Sequence, residues 1–206
     1  MARVPADVRR EQFIAAATSV ITEHGVEGAT TRRIAEAAGA PLASLHYCFH
    51  TKEELLWAIW EQQVLAIKER TSDDVAPPVG LGRAAASELR AVVNWMLEEE
   101  ELVVATTELL LWARRQDPAM GIKGYERHFE NGVARLRHNL LKGDDADLIE
   151  PLARLIAATV DGLMLQWMTF HDRARLEQDL SLSEEAIEHL VAAHARPAGR
   201  ARGRSA

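Results

Sequence analysis

The stretch "AGAPLASLHYCFHTKEEL", residues 38–55, gathers more chemistry than any other part of the chain. His46, Tyr47, Cys48 and His50 fall within five residues, and Ser44 and Lys52 flank them. His46 and His50 are four apart, a spacing that on a helix can seat a metal ion. Cys48 would lie about 200° round from His46 by the helical repeat, so it cannot join them in one site. Two ligands alone make a poor metal site, and none is expected here. Cys48 has no basic partner placed to make it a nucleophile, and a lone cysteine packs as a small apolar group. The same residue types suit an outside partner better. Ser44 and His46 can donate or accept at base edges, Tyr47 and Lys52 can hold phosphate oxygens, and Leu42 and Ala43 can meet a thymine methyl or a sugar.

The flanking elements decide whether that reading holds. Phe13, Ile14, Ala17, Val20 and Ile21 mark an amphipathic helix over residues 8–24, with Asp7 as its N-cap and Gly25 just past its end. Thr30 caps a second helix, "TRRIAEAAG", and Pro41 suits the first turn of a short third. Thr51 and Glu54 form a capping box for a fourth helix running to about Arg70. The second and third helices are joined by a few residues around Gly39, which is helix-turn-helix geometry with one helix exposed for reading DNA. Ala35, Ala38, Leu45 and Phe49 are expected to face the core. Thr31, Arg32 and Arg33 open the second helix, where cations oppose the helix dipole and a bound phosphate would compensate them.

Beyond "TSDDVAPPVG", residues 71–80, which reads as a linker, the pattern stays helical. Helices are expected at about 83–100, 102–115, 122–142 and 148–171, with a last one beginning at Ser183. No segment has the alternation of a β-sheet, and no apolar run reaches the roughly 20 residues of a membrane span. The start of the chain lacks the apolar core of a signal peptide. The single cysteine forms no intrachain disulfide. A soluble cytoplasmic protein is expected.

Charge is unevenly spread over the 206 residues, whose net charge is −7. Residues 1–52 hold six Lys/Arg against five Asp/Glu, residues 53–195 hold 14 against 26, and the last eleven hold four Arg and no acid. A near-neutral head on an acidic body can bind a polyanion only through a local basic patch.

Three words carry a family resemblance: "FIAAATSVITEHG", "TTRRIAEAAG" and "SLHYCFHTKEELL". Residues 10–56 resemble the TetR family of bacterial transcriptional regulators. Ile34-Ala35 and Ala38-Gly39 match the family's second helix. Leu45, Tyr47 and Phe49 match its recognition helix, and Lys52–Leu55 match the start of its fourth helix. The chain departs from the pattern at Pro41, Leu42, His46 and Cys48. The stretch "LIAATVDGLMLQWMTF" is similar to the dimer-forming helix of such regulators.

The resemblance implies an all-α fold with an N-terminal helix-turn-helix DNA-binding domain over residues 1–52. A long fourth helix would join it to a helical effector-binding and dimerisation domain, 53–195, with a disordered Arg-rich tail at 196–206. The DNA-facing set would be Thr31, Arg32, Arg33, Pro41, Leu42, Ala43, Ser44, His46, Tyr47, His50 and Lys52. The partners would be a palindromic double-stranded operator, a second copy of the chain, and a small, largely apolar effector that releases the DNA; no cofactor is expected. Five tryptophans stand in apolar stripes, as core or as pocket wall. The pocket candidates are Trp95, Trp112, Met120, His128, Phe129, Met164, Trp167 and Met168. Asp161, inside an apolar helix, would meet a ligand, a dimer partner or a neighbouring donor. Two other classes stay open: an all-α enzyme using His128, Glu108 or Asp161, for which no catalytic motif is found, and a small-molecule sensor or scaffold without specific DNA binding.

Overall fold

The computed structural model describes residues 5–71 and 77–195. The tail at 196–206 and the centre of the linker at 72–76 lie outside the described residues. Among these there are nine α-helices and no strand: α1 (Ala6–Gly28), α2 (Thr31–Ala37), α3 (Leu42–Cys48), α4 (Lys52–Thr71), α5 (Leu81–Glu98), α6 (Glu100–Gln116), α7 (Pro118–His138), α8 (Ile149–Phe170) and α9 (Arg173–His194). A 3-10 turn, Ala146–Leu148, precedes α8.

The chain forms two compact units. Of the described residues, the first takes in those up to Glu69 together with Met96–Arg127; the second takes in those from Arg70 to Trp95 and from His128 to Ala195. Thus α5 and α7 each contribute to both units as continuous helices.

In the first unit, α1 packs on α2, α3 and α6. Phe13, Ile21, Ile34, Leu45, Phe49, Leu55, Leu56 and Ile59 are fully buried there. Each large apolar side chain removed from water contributes about 1.5–3 kcal/mol, so this small core can hold a seven-residue helix that would not persist alone. The Thr22 hydroxyl donates to the Glu101 carbonyl at 3.2 Å, tying α1 to the start of α6.

Several expected boundaries move. Pro5, not Asp7, stands at the start of α1, and Asp7 lies in its first turn, where its charge suits the dipole. Gly25 interrupts α1 at φ 68°, a conformation glycine adopts without strain. Pro118 begins α7 rather than breaking the chain, because Asp117 caps it: the Met120 N–H lies 3.4 Å from Asp117 Oδ1. Ser183 does not start α9. Its hydroxyl donates to the Asp179 carbonyl at 2.7 Å from mid-helix, while Asp172 is the cap, accepting from the Arg175 N–H at 3.1 Å. The buried stripe Leu176, Leu180, Ile187 and Val191 runs straight through the serine.

In the second unit, Arg90 of α5 is clasped by α9. Its guanidinium donates to Glu184 and Glu177, each at 2.6 Å, and to the Ser181 hydroxyl at 3.2 Å. Asp144 accepts from the Leu81 N–H at 2.9 Å and from the Leu141 N–H at 2.8 Å, capping α5 from the loop after α7.

Candidate nucleic-acid interface

The capping pattern places α3. Thr30 accepts from the Arg33 N–H at 3.2 Å and starts α2. Gly39, at φ 59°, turns the chain, and Pro41 precedes α3. Leu45 and Phe49 are drawn into the core at 1% and 0% exposure. That orientation turns Pro41, Leu42, Ala43, His46 and Tyr47 outward, with Ser44 half-buried. Leu42 with His46, and Ala43 with Tyr47, form adjacent rows along the outer face. The Tyr47 side chain is 74% exposed, which leaves both its ring and its hydroxyl to an outside partner.

The far end of α3 is clamped by the expected capping box and by Arg10, which the spacing pattern did not single out. Arg10 of α1 sits 4.1 Å above the Phe49 ring and donates to the Cys48 carbonyl at 3.0 Å. The Thr51 hydroxyl accepts from the Glu54 N–H at 3.1 Å, as a capping box requires. The Glu54 carboxylate reaches one residue further back than usual, to the His50 N–H at 2.9 Å. That backbone hydrogen bond, with help from the His50 and Arg10 side chains, holds the Glu54 carboxyl below its ordinary range. Nothing in the local sequence pairs Arg10 with residues near position 50; only packing of α1 against α3 does so.

The two histidines do not share a helical face. The helix ends at Cys48, so His50 stands outside it, its ring nitrogen 3.4 Å from Glu54 Oε2. No cluster of three or more metal-ligating side chains occurs among the described residues.

The cations near α2 are held differently. Arg33 donates to the Gly28 carbonyl at 2.7 Å. Arg32 has only a loose 3.9 Å approach to Glu36, both side chains largely in solvent, and such exposed pairs contribute little. The first-turn N–H groups of α2, beside half-buried Thr31, lack helical partners by the nature of a helix start. Lys52, expected to reach outward, turns inward instead. Its ammonium donates to the Val26 carbonyl at 2.8 Å, and burial lowers its pKa. It therefore fastens the start of α4 to the end of α1.

The pocket candidates divide between the units. Trp112 and Met120 belong to the first; Trp95, His128, Phe129, Met164, Trp167 and Met168 belong to the second. Trp95, Met120 and Met164 are buried, and the others half-buried. Desolvation pulls the His128 pKa down to about 4, so its imidazole is neutral near pH 7. Trp167 lies 5.4 Å from the His171 ring, centroid to centroid. Asp161 is on the exposed side of α8.

Comparison with known proteins accords with this geometry. Residues 13–59, from α1 into α4, match the family model described as bacterial regulatory proteins, tetR family. The chain is 31% identical over 169 residues, 77% of its own length and 83% of the relative's, to the HTH-type nicotine-responsive transcriptional repressor HdnoR of Paenarthrobacter nicotinovorans. It is 26% identical over 190 residues, covering 90% of this chain and 91% of the other, to the HTH-type transcriptional regulator BetI of Rhizobium meliloti. Its fold resembles that of a transcriptional regulator from Rhodococcus sp. Rha1 at a TM-score of 0.70 and 21% identity, covering 92% of this chain and 99% of that one. The outward-facing α3, the clamp that fixes it and these likenesses lead to one conclusion: the chain belongs to the tetR family of bacterial regulatory proteins and is a DNA-binding transcriptional regulator.

Proposed function

We propose that the protein is a homodimeric repressor that holds a palindromic operator and lets it go when a small, largely apolar molecule binds its body. The observation that carries this reading is the outer face of α3, with Tyr47 74% exposed on a helix clamped at its far end. The base-facing side chains are Leu42, Ala43, Ser44 and His46, with Pro41 at the entry. Tyr47, Arg32, Arg33, His50 and the first N–H groups of α2, beside Thr31, take the phosphates. Lys52 acts in this reading as a positioning residue. The reading head is the chain up to Lys52, and the helices beyond it sense and dimerise. The protein performs no catalysis in this reading.

Dimerisation is supported by an exposed apolar row on α8, where Leu155, Ala158, Gly162 and Leu165 recur at helical spacing, and by Leu182 and Leu190 on α9. Two copies joined through these helices would present two α3 helices to two half-sites. HdnoR is nicotine-responsive by name, which supports a small organic effector here. Release results if the effector favours a different placement of α7, a continuous helix whose first half holds Trp57 and Trp60 of α4.

The test is a footprint on DNA flanking the protein's own gene, across a salt series. A short palindromic protection, weakening steeply with salt and absent in Tyr47→Ala and Arg32→Ala, is expected. Diffuse binding unchanged by both substitutions would move the sensor or scaffold and the enzyme readings up.

A further inference from the structure

The second unit contains a buried ion pair whose hydrogen bonding is incomplete. The Gly80 N–H donates to the Asn139 carbonyl at 3.0 Å, and Arg135 pairs with Glu88. Position numbers rise on α5 as they fall on α7, so within this unit the two helices are antiparallel neighbours. The Glu88 and Arg135 side chains are only 9% and 16% exposed. Arg135 Nη2 donates to Glu88 Oε1. Glu88 Oε2 and Arg135 Nε are buried and have no partner. Small residues border the pair: a Cβ added at Gly132 would lie 3.2 Å from Glu88 Oε1 and 3.7 Å from the Ala153 methyl of α8.

A buried acceptor and a buried donor left open on one ion pair are costly, and water or a ligand is the ordinary remedy. The pair is already neutral in sum. A charged ligand head would add an uncompensated charge to a desolvated site, whereas a neutral head with one donor and one acceptor would complete both groups. We propose that Glu88 and Arg135 are the polar anchor of the effector site, and that it takes an uncharged molecule whose head carries an adjacent hydrogen-bond donor and acceptor, such as a carboxamide or lactam, on an apolar or aromatic body. This rests on the ligand-responsive reading above and names the chemistry of its ligand. Burial raises the Glu88 carboxyl above its ordinary range while Arg135 opposes this, in keeping with a carboxylate that lacks its full set of donors.

The experiment uses the full-length protein and four probes sharing one body: phenylacetamide, phenylacetate, phenethylammonium and ethylbenzene, with a second series two methylenes longer. Affinities are read by calorimetry and tryptophan fluorescence. In at least one series the amide is expected to bind at least about tenfold tighter than its three counterparts. The preference should collapse to within about threefold in Glu88→Leu/Arg135→Leu, whose apolar replacements of a buried pair are compatible with folding. Gly132→Ala, which presses a methyl toward Glu88 Oε1 and keeps both charges, should lower amide affinity about tenfold with helical circular dichroism retained. No amide binding in either series, equal binding of all four probes, or an amide preference that survives in both variants would reduce the pair to a structural ion pair and overturn the assignment. The operator footprint on the same samples separates the two failures. Amide preference without a footprint sinks the regulator reading alone; a footprint released by other molecules, without amide preference, sinks the anchor alone.

Discussion

The Trp60 indole of α4 occupies the space that a side chain at position 124 of α7 would need: a Cβ built on Gly124 would overlap Trp60 Cε2 and Cζ2. One turn of α4 earlier, Trp57 lies under the Lys123 ammonium at 3.9 Å, and the two indoles are 6.4 Å apart. Residues 123 and 124 thus receive both indoles of the helix next after the reading head. Gly124→Ala should therefore push α4 away. A loss of about 1–3 kcal/mol in thermal or denaturant unfolding is expected from overpacking, together with altered operator affinity in a footprint. Wild-type stability in this variant would mean that the contact yields easily and transmits nothing.

Tyr47 and Arg10 should fail in different ways. Tyr47→Ala removes a side chain that is 74% exposed, so unfolding should change by no more than about 0.5 kcal/mol. Operator affinity should fall at least about tenfold, or about 1.4 kcal/mol.

Arg10→Ala removes the cation over Phe49 and the donor to the Cys48 carbonyl. Stability should drop by about 1–2 kcal/mol, and DNA binding should fall with it. Equal loss of stability in both variants would show that Tyr47 is a packing residue.

His128 makes stability depend on pH with a defined sign. Its pKa is about 4 in the fold, against an ordinary value of 6.5. Between those values the unfolded chain binds a proton that the folded chain refuses, so stability is full above pH 6.5 and declines as pH falls toward 4. The whole decline is on the order of 3 kcal/mol. Denaturant midpoints measured from pH 7.5 to 4.5 should fall less steeply in His128→Gln than in the wild type. Parallel curves would assign the slope to other groups.

Leu165 is 62% exposed at the C-terminal end of the α8 row. Leu165→Glu places a carboxylate where a symmetry mate would bury it, which an unpaired charge strongly opposes. Light scattering after size-exclusion should report a monomer, with circular dichroism unchanged and the footprint lost. A dimer of unchanged mass would move the interface elsewhere.

Short-range chemistry made the head legible without coordinates. Thr30, Thr51 and Gly39 act within a few residues of themselves, through caps and a turn, so the spacing of α2, α3 and the start of α4 comes from local hydrogen bonding. The same economy misled at Ser183, whose hydroxyl can cap a helix start or bond back within a helix; the choice was made by Leu176, Leu180, Ile187 and Val191, which find a core only as one stripe. The outward face of α3 was legible because Leu45 and Phe49 had to be buried.

What tertiary structure decided is which distant groups meet. Lys52 looked free to reach a phosphate, but the Val26 carbonyl lies within its reach once α1 and α4 pack. Arg10 gained its role from Phe49 and Cys48, 38 or more residues away. Glu88 and Arg135 stand 47 positions apart in sequence and show no spacing signal, yet burial left them with an open donor and an open acceptor. Local chain chemistry determined the caps and the turn that space α2, α3 and the start of α4. Packing alone determined which of its charges are spent holding the fold and which remain for a partner, because a charge is satisfied by what lies near it in space and not by what lies beside it in the chain.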